Sequence, residues 1–177
     1  MPGVEELTGG DPEVEVVENA RMKAQAVADG EGGAPAGEVY VLGTPPSPST
    51  DRIVIACDTD VILDGKALGK PADATEAREY LDRMSGRAHE VLSGLVVLSG
   101  GQELSGLERS VVTFKDLTDA EKERYVRFGE WRGRSGGYAI QTLGSTLVER
   151  IEGSVSNVVG LPVGLLVELA PRLLEPA

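Results

Sequence analysis

The segment Cys57–Pro71 holds two side chains that could handle an anionic substrate, an aspartate and a lysine. Asp58 follows an apolar run, and a carboxylate at the end of an apolar strand is a common metal ligand or general base. Lys70 lies between a glycine and a proline, a setting that suits a phosphate contact, although no Walker pattern follows it. Residue types alone therefore leave two interpretations open, a small-anion site and a hairpin with a capping carboxylate.

Two other positions carry side chains that could bind a ligand. Gln141 ends a short apolar segment that begins with Gly136 and Gly137. Such glycines let the backbone approach a ligand closely while the amide reads a base edge, but a simple tight turn explains the pattern equally well. Lys23 lies just off the apolar stripe of the first predicted helix, a position more typical of a solvated flank than of a site.

The only histidine and the only cysteine fit structural roles. His89 has no histidine or cysteine partner at metal-ligand spacing, which favours a strand-edge or hydrogen-bonding role. Cys57 lies in an apolar run, where a free cysteine behaves as a small hydrophobe. A histidine-based triad, an internal disulfide and a multi-cysteine zinc cluster are therefore not expected.

Composition and charge limit the partners. The 177 residues include 29 acidic and 17 basic side chains, a formal net charge of −12, which disfavours binding to nucleic acid. A compact phosphate ligand needs only a local cluster of donors and cations, so it is not excluded. No signal-peptide pattern opens the chain and no apolar stretch reaches the roughly 20 residues of a membrane span, so we expect a soluble cytoplasmic protein.

The elements that must position these side chains begin with a helix, expected over residues 12–29 with its N-cap at Asp11. Its expected buried stripe consists of Val14, Val17, Ala20, Ala24 and Val27. Residues 30–51 are rich in glycine and proline and are expected to form an exposed surface loop, apart from a candidate strand at 39–42.

The rest of the chain alternates between hairpins and single helices. Strands are predicted over 52–57, 61–63, 89–98, 107–114 and 147–151, with a hairpin turn at Asp64-Gly65. Helices are predicted after N-caps at Asp73 and Thr118, and after Leu161-Pro162 with Leu165, Leu166 and Leu169 buried. This order predicts the α/β class, or mixed α+β, with a mixed sheet.

The chain also resembles the Maf family of nucleotide pyrophosphatases, in motifs that follow the family's order over nearly the whole length. Upstream, Pro2-Gly-Val-Glu-Glu6 and Glu18-Asn-Ala-Arg-Met-Lys-Ala24 resemble the family's glutamate loop and Lys-Ala helix. The later motifs are Cys57–Pro71, Ser85-Gly-Arg-Ala-His-Glu-Val91, Gly136-Gly-Tyr-Ala-Ile-Gln141 and Ser156-Asn-Val-Val-Gly-Leu-Pro162.

The resemblance implies a single Maf-like domain over 1–177, with an elongated mixed sheet flanked by helices and two lobes around a central cleft, as in the inosine triphosphatase superfamily. It implies hydrolysis of nucleoside triphosphates to the monophosphate and pyrophosphate with a divalent cation, Mg²⁺ or Mn²⁺. Family members are often dimers, so a homodimer is a further expectation.

The resemblance also assigns roles to residues. Asp58 would match the proton acceptor, which activates water or holds the metal, and Glu5 would contribute to metal binding. Lys23 and Lys70 would match phosphate-binding lysines. Thr59 and Gln141 match positions associated with base selection, and an Asp followed by Thr is the pattern of the branch that acts on dTTP and UTP.

Two departures from the family pattern bear on activity. Family members usually begin with an apolar strand running into Ser-x-Ser-Pro-Arg-Arg, whereas this sequence starts beyond that point at Met1-Pro-Gly. In addition, Arg132-Gly-Arg-Ser135 stands where the family more often shows Lys-Ala. The alternative hypothesis is therefore a catalytically impaired Maf-like protein that binds nucleotides or regulates cell division.

Overall fold

The computed structural model describes residues 6–29, the backbone of 39–42, and residues 53–174. The chain forms two compact units, each assembled from separate stretches of sequence. The first unit combines residues 1–58, 93–108 and 160–177, and the second combines residues 59–92 and 109–159. Glu5 and most of the expected 30–51 loop lie outside the described residues.

The described elements follow the alternation that the sequence predicts. The helices are α1 (Pro12–Ala28), α2 (Ala74–Met84), α3 (Asp119–Phe128), α4 (Val155–Val159) and α5 (Val163–Leu169). The strands are β1 (Val39–Leu42), β2 (Ile53–Leu63), β3 (Lys66–Ala67), β4 (Ala88–Ser99), β5 (Gln102–Phe114) and β6 (Val148–Glu152). None of the helices in the described part of the chain is long and apolar enough to cross a membrane.

The strands form one sheet in the order β1-β2-β4-β5-β6, with β3 paired to β2. The β1–β2, β2–β3 and β5–β6 pairs are antiparallel. The α/β class is confirmed. One boundary prediction is wrong: the apolar pieces at 52–57 and 61–63 are a single strand, β2, so Asp58 lies within a strand rather than at its end.

In the first unit, α1 begins where the sequence predicts. Asp11 caps the helix by accepting a hydrogen bond from the Glu13 N–H at 3.0 Å, and Pro12 occupies the first turn. The predicted stripe is only partly right, because Val14 is 56% exposed. The buried face instead carries polar side chains, and it consists of Glu15, Val16, Asn19, Ala20, Lys23, Ala24 and Val27.

Helix α1 packs closely against β4. A Cβ atom added at Gly94 would lie 2.2 Å from the carbonyl oxygen of Val16, so only glycine permits this approach. Ala20, Ala24 and Val27 then form a buried apolar cluster with Val54, Ala56 and Val96. The glycine thus sets the depth at which α1 lies on the sheet.

A second apolar cluster of the first unit consists of Ile55, Cys57, Leu95 and Val97, against which the leucines of α5 pack. The prediction that these leucines are buried is too strong, because α5 contains no fully buried residue. Cys57 is 1% exposed, in keeping with its expected role as a small hydrophobe.

The second unit confirms the predicted turn and caps. Asp64 and Gly65 have φ of 55° and 74°, which suits the tight hairpin between β2 and β3. Asp73 caps α2, and Thr118 forms the predicted capping box with Glu121 at the start of α3. The apolar core of this unit includes Leu81, Met84, Phe114, Tyr125, Trp131 and Tyr138.

Candidate active site

Strand β2 presents Asp58 on the face that α1 covers. Side chains alternate between the two faces of a strand, and Val54 and Ala56, four and two residues before Asp58, already pack against α1. Asp58 continues that row and is only 6% exposed. A buried carboxylate needs partners that offset the loss of its hydration.

Lys23 on α1 is the cationic partner of Asp58. Its ammonium group donates to Asp58 Oδ1 and lies 2.8 Å from Glu6 Oε1. Lys23 is 2% exposed, so the solvated flank indicated by the helical pattern is not what the fold provides. The cluster brings two carboxylates to one ammonium group, which leaves a formal charge of −1.

Asn19 connects Asp58 with the backbone of Leu7, the residue after Glu6. Its Nδ2 donates to Asp58 Oδ2 at 3.1 Å and to the carbonyl oxygen of Leu7 at 3.2 Å. Its Oδ1 accepts from the Leu7 N–H at 2.7 Å. Sequence reasoning missed Asn19, although its spacing of four residues from Lys23 and its place next to Ala20 on the buried stripe are signals that could have indicated it.

The environment changes the proton affinity of Asp58. Burial raises its pKa above the ordinary aspartate value, while Lys23 and the Asn19 amide oppose that rise. A carboxylate with a raised pKa holds a proton more strongly than an exposed one. Asp58 is therefore a stronger base than an ordinary aspartate.

The donor set fits a small divalent cation. Within the described ranges there is no group of three or more His, Cys, Asp or Glu side chains arranged around a common centre. Asp58 and Glu6 nevertheless bring carboxylate oxygens to the same ammonium group. Mg²⁺ is usually held by one or two carboxylates together with water and substrate phosphates, so two are sufficient.

Three other predicted site residues belong to the second unit. Thr59 follows Asp58 in β2 and is half-buried, whereas Lys70 and Gln141 are exposed. Asp58, Thr59, Lys23, Lys70 and Gln141 are thus all described, and the structure brings Asp58 and Lys23 into direct contact. The ligand roles of all of them remain predictions.

Hydrogen bonds in the second unit connect the stretches that carry Thr59, Lys70 and Gln141. The N–H of Gly136 donates to the carbonyl oxygen of Gly69 at 2.7 Å. Ser135 Oγ donates to Asp60 Oδ1 at 2.7 Å and accepts from the Val61 N–H at 3.1 Å. The motif between Gly136 and Gln141 is therefore fixed to both ends of the β2–β3 hairpin.

His89 has the hydrogen-bonding role that the sequence favours. Its Nε2 lies 2.8 Å from the hydroxyl of Tyr138, and its ring makes edge contacts with Phe114 and Tyr138. Its strand, β4, lies between β2 and β5 rather than at an edge. Burial lowers the pKa of His89 to about 4, so the imidazole is neutral at pH 7.

These features define an α/β protein with a buried cluster of a carboxylate, a lysine and an amide. The chain belongs to the Maf family, because the family described as Maf-like protein matches residues 2–173.

Individual relatives are similar over most of this chain. A dTTP/UTP pyrophosphatase of Pyrococcus furiosus is 48% identical over 120 residues, which are 68% of this chain and 63% of that protein. A dTTP/UTP pyrophosphatase of Deinococcus radiodurans is 47% identical over 67% of this chain and 61% of its own length. One from Dictyoglomus thermophilum is 39% identical over 97% of this chain and 82% of its own length. The matched region is thus a little over three fifths of the first two relatives.

Proposed function

We propose that this protein hydrolyses nucleoside triphosphates between the α and β phosphates, with dTTP and UTP as its substrates. One water is consumed, and the products are the nucleoside monophosphate and pyrophosphate. The observation that carries the proposal is the buried contact between Asp58 and Lys23, which combines a base of raised proton affinity with a cation. Support also comes from the names of the relatives, which are dTTP/UTP pyrophosphatases.

Asp58 is the proposed proton acceptor. It takes a proton from the attacking water, so that the water oxygen can bond to phosphorus as pyrophosphate leaves. Its burial supports this role, because a desolvated carboxylate binds a proton more readily than a hydrated one. Asn19 fixes one carboxylate oxygen, which limits the orientations that Asp58 can adopt.

Lys23 and Lys70 are the proposed phosphate contacts. Charge develops on the phosphate oxygens as the bond to the leaving group breaks, and cations that are already in place stabilise it. Lys23 is held by Asp58 and Glu6, so its ammonium group is positioned in advance. Lys70 is exposed beside Gly69, whose carbonyl is fixed by Gly136.

A divalent cation, Mg²⁺ or Mn²⁺, belongs to the proposal. Asp58 and Glu6 would hold it, and the predicted ligand Glu5 lies outside the described residues. When bound, such an ion neutralises phosphate charge and orients the nucleotide. The net negative charge of the Asp58, Glu6 and Lys23 cluster supports the binding of a cation.

Thr59 and Gln141 are the proposed base-selecting residues. A side-chain hydroxyl and a carboxamide can each donate to and accept from the edge of a pyrimidine. The assignment rests on the family resemblance of these two positions. No specific observation in the described residues favours the alternative of an impaired nucleotide-binding or cell-division protein.

A cytoplasmic location and a homodimer complete the proposal. The chain has a single cysteine, Cys57, which is buried and has no second cysteine with which to form an internal disulfide, and this agrees with a reducing compartment. The dimer rests on the family resemblance alone. Light scattering of the purified chain distinguishes one copy from two.

The test of the proposed function is product analysis with a panel of nucleotides. The full chain is incubated with dTTP, UTP, dCTP, dATP and GTP in Mg²⁺ or Mn²⁺, and the products are separated by ion-exchange chromatography. We expect dTMP or UMP with equimolar pyrophosphate. Release of orthophosphate and a nucleoside diphosphate would place cleavage at the wrong bond, and no turnover by folded protein would reject the proposal.

A further inference from the structure

Asn19 contacts two separate segments of the first unit, Asp58 in β2 and Leu7 next to Glu6. It is 2% exposed and lies one helical turn before Lys23 on the same face of α1. A buried carboxamide is costly unless its donors and acceptor are satisfied. Here Nδ2 donates to Asp58 and Leu7, and Oδ1 accepts from Leu7.

The two bonds between Asn19 and Leu7 have a defined geometry. The carboxamide donates to the backbone carbonyl and accepts from the backbone N–H of the same residue, as a neighbouring strand would. This fixes the backbone at Leu7, immediately after Glu6. Glu6 in turn places a carboxylate oxygen 2.8 Å from Lys23 Nζ.

The second Nδ2 contact, to Asp58 Oδ2, is independent of those bonds. Asp58 Oδ1 accepts from Lys23, so the two carboxylate oxygens have different donors. A carboxylate held at both oxygens cannot rotate freely about its terminal torsion. Asn19 and Lys23 together therefore determine where the Asp58 oxygens point.

We infer that Asn19 is a positioning residue, which joins the Glu6-Leu7 segment to Asp58 so that both carboxylates face Lys23. Its role in turnover rests on the proposed function, whereas its role in joining the two segments does not. Residues that orient a ligating or catalytic carboxylate typically change activity or metal affinity by roughly 10- to 100-fold when they are replaced. Asn19 acts through Asp58 and Glu6 and makes no proposed contact with the nucleotide.

Two substitutions separate the contributions of the carboxamide. Asn19→Asp keeps an oxygen that can accept from the Leu7 N–H but removes both Nδ2 bonds, to Asp58 and to the Leu7 carbonyl. Asn19→Leu has a similar volume and removes all three bonds. The matched control is Asn157→Asp, because Asn157 is also fully buried and donates from Nδ2 to Val91 O and Ser110 Oγ, both at 3.1 Å, within the second unit.

The first measurement is steady-state kinetics with dTTP, with kcat calculated per folded molecule and the folded fraction judged from Trp131 fluorescence. We expect Asn19→Asp to lower kcat by about 10- to 100-fold while KM changes by less than about threefold. Asn157→Asp is expected to lower the folded fraction without this fall in kcat. A kcat for Asn19→Asp within about twofold of the parent would overturn the inference.

The second measurement needs no substrate. Hydrogen exchange of the Leu7 amide is expected to accelerate by at least about tenfold in Asn19→Leu, and to stay at the parent rate in Asn157→Asp. An unchanged Leu7 rate in Asn19→Leu would show that Asn19 does not hold this segment and would overturn the inference. If the parent hydrolyses no nucleotide, the proposed function fails, and the exchange rates still decide whether Asn19 joins the segments.

Discussion

Asp58 and Lys23 are buried charges, and each makes the burial of the other tolerable. Removing one partner of such a pair typically costs about 3 to 5 kcal/mol, because it leaves an uncompensated charge, whereas the intact pair adds little net stability. A pair of this kind is therefore weak evidence for a stabilising role. The raised pKa of Asp58 is in keeping with the proposed role of this pair in proton transfer.

At the residue scale, the sequence singled out Asp58 but predicted a solvated position for Lys23, which is buried. A charged residue inside an apolar run is visible locally, whereas the burial of Lys23 depends on a carboxylate 35 residues away. Asn19 was still harder to predict, because its hydrogen-bond partners Leu7 and Asp58 lie 12 and 39 residues away in sequence. Spacing along one helix cannot show which polar side chain meets a partner on another element.

His89 predicts a pH dependence of stability. Its folded pKa of about 4 lies below the ordinary value of 6.5, so the unfolded chain binds the proton more tightly. The contribution of the neutral His89 to the free energy of unfolding is about 3 kcal/mol. It is fully present above pH 6.5 and is lost as the pH falls through 4. Since His89 is the only histidine, NMR titration of one imidazole measures this pKa directly.

The variant His89→Gln tests this pH dependence. Its free energy of unfolding is compared with that of the parent by denaturant unfolding at pH 7 and pH 4.5. It is expected to be less stable than the parent at pH 7 but to lose less stability between the two pH values. A histidine that titrates near 6.5 in the folded protein would show that the imidazole is not held in a buried environment.

At the element scale, the position of α1 depends on one glycine. A side chain at Gly94 would collide with the Val16 carbonyl, and a backbone atom cannot move aside as the end of a flexible side chain can. We expect Gly94→Ala to lower the free energy of unfolding by about 1 to 3 kcal/mol or more, and to lower activity because α1 carries Asn19 and Lys23.

Gly164→Ala in α5 is the control for this prediction. A Cβ atom there meets nothing within 4 Å, so alanine is expected to be neutral or to stabilise the helix by about 0.5 to 1 kcal/mol. Urea unfolding of both variants measures the difference. Equal stability of Gly94→Ala and the parent would mean that α1 does not lie as close to β4 as the structure shows.

The elements themselves were largely predictable, because their signals are local. Caps at Asp11, Asp73 and Thr118 and the Asp64-Gly65 turn fix ends of α1, α2, α3 and β2. The continuity of β2 was not predictable, because Asp58, Thr59 and Asp60 interrupt its apolar pattern. Those polar residues are satisfied by distant partners such as Lys23 and Ser135, which the local pattern does not reveal.

At the scale of the whole molecule, composition limits the expected partners but does not locate the site. A net charge of −12 disfavours a polyanion, yet a compact phosphate ligand needs only a local cluster of donors and cations. The α/β class followed from the order of elements. The division into two units did not follow from chain order, because each unit combines stretches that are far apart in sequence.

The most direct test of the proposed chemistry is the turnover of dTTP by Asp58→Asn, measured as pyrophosphate release under saturating substrate and Mg²⁺. Asparagine keeps the shape of the side chain but cannot accept the proton of water, so kcat is expected to fall by about 10²- to 10⁴-fold. Asp82→Asn is the control, because Asp82 also pairs with a lysine, Lys122 at 2.7 Å, but belongs to α2. It should stay within about twofold of the parent. Parent-like turnover by folded Asp58→Asn would contradict the assignment of Asp58 as proton acceptor.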